Sequence, residues 1–133
     1  MMALKAARAH TGRPKIAKCE GAYHGSYDYA EVSLDPTPEA WGRNAPVSVA
    51  YAKGTPDNVL ADVVTIPFND TEAAVSLIRE HGPELACVLV DPMPNRAGLA
   101  PADRAYLDAL RKVTREVGAL LIFDEVITFR LGY

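Results

Sequence analysis

Three features of this 133-residue chain predict an α/β fold, a parallel-rich sheet with helices on both faces. Leu85–Val90 and residues 119–123 are unbroken apolar runs of strand length. The stretches preceding them carry apolar residues at helical spacing. Glycine or proline stands at the joints, in Gly82-Pro83, Asp91-Pro92 and Gly118. Strands without polar alternation are buried on both faces, and strands separated by helices run parallel.

The elements follow in order. Residues 2–10 are rich in helix formers, and Thr11-Gly12-Arg13-Pro14 supplies a glycine stop and then a proline. Residues 15–20 read as a short strand entering Gly21-Ala22-Tyr23-His24-Gly25, a tight loop open to close approach. Pro36, Pro38, Pro46 and Pro56, with Gly42 and Gly54, make residues 33–60 a long excursion. It is too proline-rich for regular core elements, with a short strand expected at 47–52. Val63–Ile66 is the next strand, and Asn69 or Asp70 caps a helix whose apolar stripe is Ala74, Leu77, Ile78 and His81. Gly82-Pro83 ends that helix. After Leu85–Val90, a helix from about Asp103 places Tyr106, Leu107, Leu110, Val113, Thr114 and Val117 on one face, and Gly118 ends it.

An apolar content of 49% and a charged content of 23% suit a globular core rather than a disordered chain. A net charge of -3, with basic residues scattered, gives no reason to expect nucleic acid or an anionic membrane as partner. Cys19 and Cys87 lie far apart within apolar stretches and read as core residues in a reduced, cytoplasmic protein. No apolar run reaches the length of a membrane span, and no signal-peptide pattern opens the chain.

In parallel sheets, ligands bind beyond the carboxyl ends of the strands. Those ends carry Tyr23 and His24, then 67–70, then Asp91 to Asn95, then Asp124 and Glu125. Asp124 is the sharpest candidate: a carboxylate after an apolar strand is partly buried and needs a cation or hydrogen bonds. Each residue alone has a plain structural explanation. Asp124 could cap a turn, Tyr23 could cover the core edge, His24 could fix its loop, and Asp91-Pro92 could simply end a strand.

Together, G-A-Y-H-G, P-F-N-D, V-L-V-D-P and L-L-I-F-D-E-V, with the opening A-H-T-G-R, resemble the class III, fold-type-I pyridoxal-phosphate (PLP) enzymes. The glutamate-1-semialdehyde aminomutase branch is the nearest resemblance, and the match is weakest at residues 33–58. It implies that Asp124 pairs with the pyridine nitrogen of PLP, that Tyr23 stacks on the ring and that Val126 packs on the opposite face. His24 and Glu125 support these, and a polar residue at Asn95 or Arg96 reaches the ring hydroxyl. Asp91 stands where the family usually has glutamate, and Thr128 runs directly into Phe129-Arg130 without the usual glycine. The resemblance implies amino-group transfer on an amino acid, amino aldehyde or keto acid, in a homodimer.

A covalent PLP enzyme needs a Schiff-base lysine. The family's falls beyond the D-E-V strand, whereas the five lysines here are Lys5, Lys15, Lys18, Lys53 and Lys112. No catalytic residue and no metal ligand is therefore assigned. The chain is expected to be residues 1–133 of a partial PLP-binding large domain, truncated at both ends and inactive alone. Two rivals remain: a non-catalytic remnant serving as an interaction module, and a response-regulator receiver domain with Asp91 as phosphoacceptor. In the latter, Met93-Pro94 stands one residue too close to the aspartate.

Overall fold

The computed structural model describes residues 1–42 and 45–131. Strand β1 (Lys15–Cys19) lies between β2 (Val63–Ile66) and β3 (Leu85–Val90), and β4 (Leu120–Phe123) pairs with the far side of β3. All four are parallel, in register through pairs such as Ile16–Val63, Ala17–Val88 and Leu89–Ile122. Their side chains alternate between two cores, as the period of two requires. On one face Ile16, Val63, Cys87 and Leu89 pack against Leu4 and Ala7 of α1 (Met2–Thr11). On the other, Ala17, Val64, Ile66, Val88 and Val90 pack against α4 (Thr71–His81) and α5 (Arg104–Val117).

Every residue of β2 and β3 is buried. Strand β4 departs from the expected two-sided burial, with Leu120 37% and Phe123 43% exposed. Among the described residues it has a neighbour on one side only and forms an edge of the sheet.

The caps divide between expectation and correction. Helix α1 ends at Gly12 (φ 69°), whose N–H bonds the carbonyl of Arg8 at 2.8 Å, and α5 ends at Gly118 (φ 72°). Both are left-handed stops that glycine adopts without strain. Asp70, not Asn69, caps α4: its carboxylate accepts the Ala73 N–H at 3.1 Å. Asn69 instead bridges to α5, donating to the Pro101 carbonyl and accepting from the Asp103 N–H. Gly82 is no left-handed stop. At φ -47° it continues into a 3₁₀ turn, Gly82–Glu84, and a Cβ there would lie 2.8 Å from Val117 Cγ1. The glycine is there to let two helix ends approach.

The excursion at 33–60 holds more regular structure than its prolines suggest. It contains a 3₁₀ turn at Pro38–Ala40 and a short helix, α3 (Asp57–Ala61), which buries Val59, and α2 (Asp28–Glu31) precedes it. The strand expected at 47–52 does not form. Serine hydroxyls take the place of a ladder. Val49 exchanges bonds with the backbone N–H and the hydroxyl of Ser33, and the Ser48 hydroxyl donates to the Val63 carbonyl at 2.6 Å. Side-chain bonds of this kind compete with sheet pairing.

Candidate functional site

Strands β1, β3 and β4 end together, and the loop after β1 turns back over them at Gly21 (φ 71°) and Gly25 (φ 87°). That turn brings His24 to Asp124, 100 residues later: imidazole Nδ1 donates to carboxylate Oδ2 at 2.8 Å. The imidazole is 2% exposed and the carboxylate 25%. Asp124 is fixed from behind by its N–H, which bonds the Val90 carbonyl at 2.8 Å. Its second oxygen accepts only the Val126 N–H among the described residues, at 3.3 Å.

Burial pushes the His24 imidazole below its ordinary range of protonation. The bond to Asp124 opposes this, the Lys18 charge reinforces it, and the charges of Asp124 and Asp91 oppose it again. Near neutral pH the contact is thus a hydrogen bond from a neutral ring to a carboxylate rather than an ion pair. Protonation would also put a charged donor on Nε2, which is buried and has no partner among the described residues. The unfolded chain therefore takes up this proton more readily than the folded one. Stability from this group is fully present above about pH 6.5 and is lost as pH falls below it. The urea midpoint is expected to fall between pH 7.5 and 5.5, and less steeply in His24→Gln; parallel profiles for the two proteins would refute this.

A cavity of about 220 Å³ opens beside the pair, between the start of α1 and the sheet, lined by Leu4, His24, Leu89, Ile122, Phe123 and Asp124. A carboxylate with a weakly engaged oxygen, in a wall whose other named residues apart from His24 are apolar, suits a flat ring bearing a proton on nitrogen. The donor set therefore fits a protonated pyridine.

The other candidates are placed less centrally. Tyr23 is adjacent to His24 and 43% exposed, outside that cavity's lining, and Val126 is 78% exposed and also outside it. Glu125 lines a second, more open cavity with Met93, Phe123 and Thr128. Asp91 is 3% exposed, and its carboxylate accepts the Met93 N–H at 2.9 Å, closing the turn that ends β3. Asn95 is exposed at the start of a 3₁₀ turn, and Arg96 reaches Asp35 at 3.4 Å. One residue was missed by sequence reasoning. Lys18 is fully buried in the central strand, and the readable signal was a charge inside the strand Lys-Ile-Ala-Lys-Cys.

Comparison with known proteins places the chain among PLP-linked relatives by sequence and fold. The family model for class-III aminotransferases matches residues 1–129. A glutamate-1-semialdehyde 2,1-aminomutase of Pyrobaculum aerophilum is 43% identical over 133 residues, which are 99% of this chain and 30% of that protein. An omega-transaminase structure from Sphaerobacter thermophilus is 54% identical with a TM-score of 0.93, over 98% of this chain and 30% of that one. A structure described as a transaminase with PLP bound is 50% identical with a TM-score of 0.87, over 100% and 30%. The chain thus spans about 30% of the length of the relatives it matches.

Proposed function

The chain belongs to the class-III aminotransferase family, and from that premise we propose that it grips the pyridine ring of PLP in an enzyme of amino-group transfer. The observation that carries this reading is the His24–Asp124 bond of 2.8 Å at the mouth of the cavity. When bound, PLP supplies an electron-accepting ring that weakens bonds to the carbon bearing the substrate amino group. The residues of this chain prepare the ring for that task. Asp124 holds the proton on the ring nitrogen, because a carboxylate beside a pyridinium favours its charged form. His24 donates to Oδ2, so Oδ1, which accepts a 3.3 Å bond from the Val126 N–H, is the oxygen that would meet a proton on the ring nitrogen. Tyr23 and Val126 cover the ring faces, a role supported by the family motif and by their sequence positions beside His24 and Asp124. Glu125, and Asn95 or Arg96, complete the rim.

The functional unit in this proposal is a longer, homodimeric polypeptide that supplies the covalent lysine. Lys18 is an unsuitable candidate for that role, since its ammonium is bound to two carbonyls. The substrate is an amino acid or amino aldehyde with a keto acid or aldehyde as counterpart. The 54% identity to an omega-transaminase, against 43% to an aminomutase, favours transfer between two molecules. A receiver domain is set aside by family membership, and Asp91 is engaged in its own turn. No helix among the described residues is long and apolar enough to cross a membrane. A cytoplasmic setting is supported by two free, buried thiols.

The test is to load the full-length protein with PLP, supply an amino-acid donor and an aldehyde acceptor, and measure release of the keto acid. Turnover dependent on PLP is expected. A protein that binds PLP but releases no keto acid from a panel of donors would overturn the reading.

A further inference from the structure

We propose that Lys18 is a positioning residue whose buried ammonium closes the neck of the loop that carries Tyr23 and His24 to the cofactor ring. The inference rests on the reading of His24 and Asp124 given above, but its geometry is independent of any bound group.

Strand β1 is the centre of the sheet, the least favourable place for a charge. Lys18 is nonetheless 0% exposed, and no carboxylate among the described residues forms an ion pair with it. Its Nζ donates to two carbonyls, Cys19 at 3.1 Å and Val32 at 2.8 Å. The first lies at the end of its own strand and the second at the far end of the loop.

Two further bonds close the same neck. The Gly21 N–H donates to the Ser33 carbonyl at 2.8 Å, and the Thr65 hydroxyl on β2 donates to the Ser33 hydroxyl at 3.2 Å. Ser33 accepts a left-handed φ of 53°, which a serine adopts only under constraint, and it is fully buried. Residues 21–33 thus form a compact loop with its two ends side by side, of the kind often used for function. Tyr23 and His24 follow directly after the neck. A clamp there sets the position of both, whereas an apolar side chain would fill the space and leave the two carbonyls bare.

The charge acts in the same direction. Burial lowers the Lys18 ammonium to about 8, against the opposing effects of Cys19 and Glu20, so it remains charged at neutral pH. That charge disfavours protonation of His24, while Asp124 and Asp91 favour it. A neutral His24 is the form that donates a single hydrogen to Asp124.

Lys18→Met keeps the stem and removes both bonds and the charge. In the full-length protein, hydrogen exchange at residues 21–33 is expected to quicken by about tenfold or more, while β3 and α5 keep their protection. The midpoint of His24 titration, followed by NMR, is expected to rise. The dissociation constant for PLP is expected to increase by about tenfold, the scale for groups that orient a ligand's contacts. Unchanged exchange in the loop, or a uniform quickening across the whole sheet, would overturn the proposal. If the variant does not fold, the parent decides: slowly exchanging ammonium protons on Lys18 with contacts to Val32 support the clamp, and their absence refutes it. Loosening of the loop in a protein that binds no PLP would instead indict the functional reading and leave the clamp standing.

Discussion

Asp124→Asn is expected to lower the rate of amino transfer by about 10²- to 10³-fold while leaving the fold intact, the scale for removing a preorganised electrostatic partner of the reacting group. The amide keeps the shape of the carboxylate, and its oxygen can still accept from His24 Nδ1, the bond of 2.8 Å that fixes the loop. Its N–H in place of a charge leaves the ring nitrogen without reason to hold a proton. Affinity for PLP should change only a few-fold, because covers and shape persist. Steady-state kinetics and PLP titration of the full-length variant separate the two quantities. A variant that keeps the parent rate would remove Asp124 from its role. One that loses PLP and rate together would make the residue structural rather than electronic.

Arg13→Ala is expected to cost about 2–3 kcal/mol, a sizeable share of the roughly 5–15 kcal/mol by which domains are stable. Arg13 Nη1 donates to three carbonyls, Val117 at 2.8 Å and Gly82 and Leu85 at 3.2 Å. Two of these stand at or just past the ends of α5 and α4, where unpaired carbonyls give the helix its negative pole. One guanidinium thus ties both helices and the start of β3 to the chain just ahead of β1. Alanine leaves partly buried acceptors bare, which costs more than the bonds are worth when made. Urea denaturation measures this as a lower midpoint at constant slope, and a loss below about 1 kcal/mol would contradict it. The activity of the folded fraction should be unaffected, since Arg13 lies at the end of the sheet opposite Asp124.

Much of this architecture is written locally. The unbroken run Leu85–Val90 is buried throughout, and Gly12 and Gly118 take the left-handed stops that their positions imply. Where the cause is long-range, local reading fails. Gly82 looks like another stop, but the reason for it is Val117, 35 positions away in sequence and invisible to any window. Residues 47–52 have a strand's composition, yet the Ser33 hydroxyl, which accepts the Val49 N–H and donates to the Val47 carbonyl, serves that backbone instead of a ladder. The site divides likewise. Asp124 is legible because a carboxylate after an apolar strand requires a partner. That the partner is His24 follows only from strands β1 and β4 ending beside the same β3. Lys18 was legible as a misplaced charge, but its acceptors, being backbone carbonyls, leave no trace in residue type.

The central place of β1 has a consequence for synthesis on the ribosome. It is the earliest of these four strands in sequence, and both of its neighbours, β2 and β3, come later in the chain. At about 5–20 residues per second, the roughly seventy residues from Cys19 to Val90 take some 4–14 s to emerge. Until β2 emerges this interior strand has neither partner, and until Val90 emerges one of its sides stays open, so its apolar residues and bare amides are exposed to chaperones and to other nascent chains. The proline-rich excursion lengthens this wait, because it stands between β1 and the first strand that can pair with it.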